Sequence, residues 1–168
     1  LFSNANDIAK RYDDSFSNIF TGKTVSIKDS TFLQTKHLTN ETNQILALDI
    51  SPDEKRIALT MEYSTNSNIF IMPITGGEKT QVTFFDSSYC LIPVWSPNGE
   101  EIAFKNNDNN KLALWKVNIN NGKLHKFQGD SLSGDSHHLI WNNENKIIYQ
   151  KEENRNFYVL DVTTEERT

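Results

Sequence analysis

The chain reads Ser51-Pro52-Asp53-Glu54-Lys55-Arg56-Ile57-Ala58-Leu59, and about 45 residues later it reads Ser96-Pro97-Asn98-Gly99-Glu100-Glu101-Ile102-Ala103-Phe104. A turn followed by an apolar strand, recurring at a fixed period, is the signature of a repeat architecture. The turn chemistry has a local cause. Ser at the first position, Pro at the second and Gly at the fourth suit a type I turn. Ser96-Pro97-Asn98-Gly99 meets all three conditions and Ser51-Pro52-Asp53-Glu54 lacks the Gly. A third, eroded copy, Asn142-Asn143-Glu144-Asn145, lacks the Pro, so it is expected to be the loosest of the three turns.

Outward from the first turn, residues 45–50 read as an inner strand and residues 56–63 as a second strand. A polar loop over 64–67 leads to a third strand, Asn68-Ile69-Phe70-Ile71-Met72. The Thr75-Gly76-Gly77 turn and a fourth strand over 79–83 follow. The second copy matches position by position: Trp95 stands for Ile50, Leu114-Trp115 for Ile69-Phe70, and Gly122 for Gly77, with a last strand over 123–127. In the third copy, Ile140-Trp141 matches Val94-Trp95, residues 146–149 match the second strand, and residues 157–162 match the third. The chain stops at Thr168, before a fourth strand is expected. Short β-rich segments punctuated this often indicate an all-β fold. Ile57-Ala58-Leu59 and Ile102-Ala103-Phe104 are apolar on both faces, so each sheet is expected to be covered on both sides by like sheets.

Residues 1–40 form an irregular segment expected to end in outer strands of a preceding unit, over 24–28 and 35–39. Residues 6–12 read equally as a short helix or a divergent strand. Three units follow, over 41–84, 85–128 and an incomplete 129–168.

Composition narrows the function classes. The 168 residues carry a net charge of -5. That balance, with scattered basic residues, speaks against a nucleic-acid groove and against an anionic membrane surface. No apolar run approaches the ~18 residues of a membrane span. The single cysteine, Cys90, excludes an intrachain disulfide and a cysteine-based zinc cluster, and it leaves the compartment open. The chain begins at Leu1 rather than Met, as expected of a processed chain or an excised piece.

The Ser96-Pro97-Asn98-Gly99 turn, Ile102-Ala103-Phe104, Ile69-Phe70-Ile71, Gly76-Gly77 and Gln81-Val82-Thr83 together resemble the TolB-like, WD-type β-propeller repeat. The resemblance covers residues 35–162 and implies four-stranded antiparallel meanders arranged as blades around an axis. Three recognisable blades and part of a fourth are fewer than the family's larger rings hold, so the chain is expected to be a segment of a larger propeller. The rival is a compact four-blade ring closed by residues 32–39. The resemblance implies a scaffold for a protein or peptide partner, as in periplasmic TolB proteins or extracytoplasmic sensor domains of bacteria. It also admits the gating propeller of a prolyl-oligopeptidase-type peptidase whose catalytic domain lies elsewhere. A periplasmic or extracytoplasmic location follows from the resemblance alone. The remaining blades, or a second copy pairing along an exposed strand edge of the third unit, are further candidate partners.

No catalytic constellation is legible. There is no Gly-x-Ser-x-Gly elbow and no phosphate loop, and no cofactor or metal is implied. His137-His138 point to opposite faces of a regular strand, so they cannot share a metal there. Residues 106–110 lack the oxygen spacing of an EF-hand calcium loop. Trp95, Trp115 and Trp141 read as core residues, and Cys90 as a small buried one. Binding is expected at the blade end that carries the loops between second and third strands and those between blades, of which residues 84–93 and 128–138 are the longest. The candidates there are Glu62, Asp86, Tyr89, Asp108, Asp130, Asp135, His137 and Arg155.

Overall fold

The computed structural model describes residues 38–39, 43–108, 111–129, 132 and 138–167. The strands expected over 24–28 and 35–37, the ambiguous segment 6–12 and the candidates Asp130, Asp135 and His137 lie outside the described residues. Leu38 and Thr39 carry no strand.

Eleven strands are described, in three antiparallel meanders. The first holds β1 (Ile45–Ile50), β2 (Arg56–Glu62), β3 (Ser67–Pro73) and β4 (Thr80–Gln81). The second holds β5 (Cys90–Trp95), β6 (Glu101–Asp108), β7 (Lys111–Asn118) and β8 (Leu124–Lys126). The third holds β9 (Leu139–Trp141), β10 (Lys146–Gln150) and β11 (Phe157–Asp161). Among the described residues there is no helix. Neighbours in sequence are neighbours in each sheet. Ile57, Ile102 and Ile147 occupy the same ladder position, opposite Ile50, Trp95 and Trp141.

The three turns share one conformation. Their fourth residues are all left-handed, with φ of 56° at Glu54, 69° at Gly99 and 60° at Asn145. Only Gly99 adopts it without a steric cost. All three turns are held by side-chain oxygens. Ser51 Oγ accepts from Arg56 N at 2.9 Å, and Ser96 Oγ from Glu101 N at 2.9 Å. Asp53 Oδ1 and Asn98 Oδ1 in turn accept from the N–H groups of Lys55 and Glu100. The third turn is one residue shorter, and Asn142 Oδ1 performs both tasks, accepting from Glu144 N at 3.0 Å and Lys146 N at 2.9 Å. One amide oxygen thus replaces the serine hydroxyl and the Asp or Asn oxygen of the longer turns. Hydrogen bonds from the Ser51 hydroxyl and the Lys55 N–H hold the Asp53 carboxyl below its ordinary range.

Packing follows the period-two alternation of the second strands. Ala58 and Ile69 of the first sheet cluster with Trp95, Ile102, Phe104 and Val117 of the second. The opposite face of the second sheet, through Val94, Ala103 and Leu114, clusters with Leu139, Trp141, Ile147, Tyr149 and Leu160 of the third. Trp95 and Trp141 are buried, as expected of core residues. Ile57, Leu59, Met61, Phe70 and Met72 form a third cluster on the far face of the first sheet.

Three expectations need correction. Residues 90–93 belong to β5 rather than to a loop, and β5 is bulged between Leu91 and Val94, with Ile92 at a φ of 53°. The outer strands are shorter than expected. The β3–β4 ladder ends because the Thr83 side chain, not a backbone carbonyl, accepts from Ile69 N at 2.8 Å. The outer position of the third sheet also holds a single bridge, Leu160 to Arg167. Coverage on both faces is met by the second sheet, whereas on the far face of the third sheet Ile140 and Phe157 are 53% and 57% exposed.

Candidate functional site

The loops between second and third strands and the connections between sheets share one end of the stack. Ser67, at the start of β3, bridges Tyr89, and its N–H donates to Ser88 O at 3.1 Å. Asn107 N donates to Tyr89 O at 3.1 Å, so the connection between the first two sheets is laced to both hairpins.

A buried polar network fixes this connection. Asn68 Nδ2 donates to Phe85 O at 2.9 Å, and Asn68 Oδ1 accepts from Phe85 N at 2.8 Å and from Thr83 Oγ1 at 3.0 Å. Ser67 Oγ donates to Cys90 O at 2.6 Å. Asn66 Nδ2 donates to Asp86 O at 3.1 Å. Buried polar groups satisfied this fully rigidify what they hold. The amide and hydroxyls suit the task because each supplies the donors and acceptors that a loop backbone lacks away from a ladder.

The network leaves a cleft of about 290 Å³ lined by Tyr63, Asn66, Gln81, Phe84, Phe85 and Asp86, with Asn68 beneath. Phe84 is 74% exposed at its rim. Phe85 turns inward and meets Trp115 edge-on at 5.9 Å and Phe104 at 6.2 Å. An aromatic rim, three amides and one carboxylate suit a peptide side chain better than a metal or a phosphate. Among the described residues, no group of three His, Cys, Asp or Glu side chains is placed to hold a metal ion.

The candidates read from the sequence distribute unevenly. Asp86 lines the cleft. Glu62 closes β2 opposite Ser67, beside Tyr63. Tyr89 sits in the bridge just described. Asp108 ends β6 opposite Lys111 at a hairpin tip. Arg155 occupies the β10–β11 loop with a φ of 58°, and its carbonyl accepts from the Gln150 side chain. Asp86, Glu62 and Tyr89 therefore gather around the junction of the first two sheets, and Arg155 belongs to the third sheet. His138 is exposed and meets Phe157 edge-on at 5.5 Å. Cys90 is buried, and burial pushes its thiol up to about 12 against hydrogen bonds from Thr83 and Asn106. A thiol so raised is no nucleophile at neutral pH.

Sequence reasoning missed Ser67, Asn68, Thr83 and Phe84. The signal was a difference between repeats: the positions of Ser67, Asn68 and Thr83 are held by Leu112, Ala113 and Gln128 in the second unit.

Neither a family model nor a curated protein matches the sequence. Solved structures do. TolB from Acinetobacter baumannii superposes with a TM-score of 0.70 at 19% identity, covering 83% of this chain and 35% of that one. The β-propeller domain of the Trilobed protease from Pyrococcus furiosus gives 0.55 at 14% identity, covering 76% of this chain and 42% of that one. A puromycin hydrolase gives 0.64 at 10% identity, covering 79% and 23%. The chain thus spans less than half the length of each of these proteins. Its three meanders are blades of a TolB-like β-propeller fold.

Proposed function

We propose that this chain is a non-enzymatic part of a larger β-propeller that binds a protein or peptide partner at its loop end. The observation that carries the reading is the cleft beside Phe84 and Asp86, held rigid by the Asn68 network. Exposed aromatics on a preorganised backbone bind with little ordering cost. Glu62 and Asp86 on a chain of net charge -5 favour a basic or neutral peptide. Tyr89, Asp108 and Arg155 are proposed as further contacts along the same end, and Asp130, Asp135 and His137 are proposed as contacts from the sequence alone. A periplasmic or extracytoplasmic setting is part of the proposal and rests on the likeness to TolB. No helix among the described residues is long and apolar enough to cross a membrane.

Peptide selection against the wild-type chain tests the reading. Selected peptides are expected to lose binding to Phe84→Ser and Asp86→Asn while both variants keep the wild-type melting temperature. Peptides that bind all three proteins equally would refute this location.

A second reading, the gating propeller of a serine peptidase, is favoured by the likeness to puromycin hydrolase and to the Trilobed protease propeller. A hydrolase domain with a nucleophile elbow in the full-length gene would support it.

A further inference from the structure

At the opposite end of the stack, the two junctions between sheets differ in the partners of the inner-strand tryptophan: Trp95 Nε1–H donates to Asp49 O of the first sheet at 3.2 Å, whereas Trp141 bonds within its own sheet. Between the first and second sheets, Arg56 of β2 reaches across to the next sheet. Its guanidinium carbon lies 4.7 Å from the centroid of the Trp95 ring, and Nη2 donates to Gly99 O at 3.1 Å. The tryptophan of the inner strand is thus capped by a cation from the preceding sheet.

Between the second and third sheets the same ladder position on the inner strand is Trp141, opposite Ile147 as Trp95 is opposite Ile102. The position of Arg56, immediately before the isoleucine of the second strand, is held by Glu101. The cation has been exchanged for an anion. Beside Glu101 there is a groove of about 370 Å³, lined by Pro97, Asn98, Glu101, Lys116, Trp141 and Asn143 among others. Trp141 is oriented by its Nε1–H, which donates to Asn145 Oδ1 at 3.0 Å. Lys116 of β7 engages Glu101 Oε2 at 3.1 Å from the side of the groove. Its ammonium also lies 5.9 Å from the Phe127 ring.

We propose that this groove is a binding site for an arginine side chain presented by a protein partner. The first junction serves as the template for the occupant. A guanidinium stacks on an indole face and donates in its plane to oxygen acceptors. Here Trp141 supplies the face, and Glu101 Oε1 and the amide oxygen of Asn143 supply acceptors. Glutamate at the position equivalent to Arg56 places a carboxylate, shared with Lys116, where the first junction holds a cation. Lys116 competes for the same carboxylate and so limits affinity.

Titration of Nα-acetyl-arginine amide into the full chain, followed at the Trp141 indole N–H by NMR, tests this directly. A saturable shift is expected, with the neutral citrulline analogue at least ~10-fold weaker. Lys116→Met is expected to tighten binding several-fold, and Glu101→Gln to weaken it. Glu101→Arg, which restores the internal cation, is expected to abolish it. Should Glu101→Arg fail to fold, the Glu101→Gln and Lys116→Met pair carries the test. Equal responses to arginine and citrulline amides would overturn the proposal. So would a Trp141 resonance unmoved up to the solubility limit of the probe.

Discussion

The side chain of Asn68 holds both backbone polar groups of Phe85, donating to its carbonyl at 2.9 Å and accepting from its N–H at 2.8 Å. One amide thus does what a neighbouring strand would do, at a point where the chain is leaving one sheet for the next. Asn68 is buried, so its loss would strand these groups away from water. Asn68→Ala is expected to destabilise the protein by about 2–4 kcal/mol. Urea unfolding gives the magnitude. Hydrogen exchange at the Phe85 N–H should speed up more than exchange in β6.

The Arg56 cap on Trp95 ties the second strand of one sheet to the inner strand of the next. Arg56→Met keeps most of the stem and removes the cation. It is expected to cost about 0.5–2 kcal/mol, read as a lowered urea midpoint with an unchanged slope.

Ala103 has no exposed surface and sits in the cluster between the second and third sheets. A larger side chain there must push the sheets apart. Ala103→Leu is expected to cost about 1–3 kcal/mol. A wild-type melting curve for this variant would mean that the two sheets do not meet at native density.

How much of this was legible in the sequence divides along a physical line. Ile57, Ile102 and Ile147 were readable as equivalent because in each unit an apolar run follows a polar turn at a recurring spacing. β1 was readable end to end from the apolar run that precedes the first turn, although Leu48 and Ile50 are 59% and 47% exposed. The outer strands were not, because Thr83 ends the first ladder with its side chain and no propensity marks that. The bulge at Ile92 was also hidden, since a β-branched residue at positive φ contradicts local preference and is held by its surroundings. At the loop end, Asp86 could be named as a candidate because an acidic residue in a long loop stands out. Asn68 was not, because it lies within a strand pattern, where a polar residue reads as a solvated one.

Lys105 lies in β6 with no exposed surface, and burial lowers its ammonium to about 8 from an ordinary value of 10.5. The folded state therefore releases a proton near pH 8 that the unfolded chain keeps to about pH 10.5. Between those values the unfolded state binds more protons, so stability rises with pH. Relative to Lys105→Met, the wild type is expected to gain on the order of 2–3 kcal/mol between pH 7 and pH 10.5. Chemical unfolding of both proteins across that range measures the difference. A constant difference would mean that Lys105 stays charged in the fold.

Radial stacking of the three meanders is what every prediction above depends on, and methyl NOE spectroscopy on the intact chain tests it most directly. The account predicts contacts from the Ala58 methyl to the Ile102–Phe104 segment of β6, and from the Ala103 methyl to the Ile147–Tyr149 segment of β10. Second strands whose methyls show contacts only within their own sheets would contradict it.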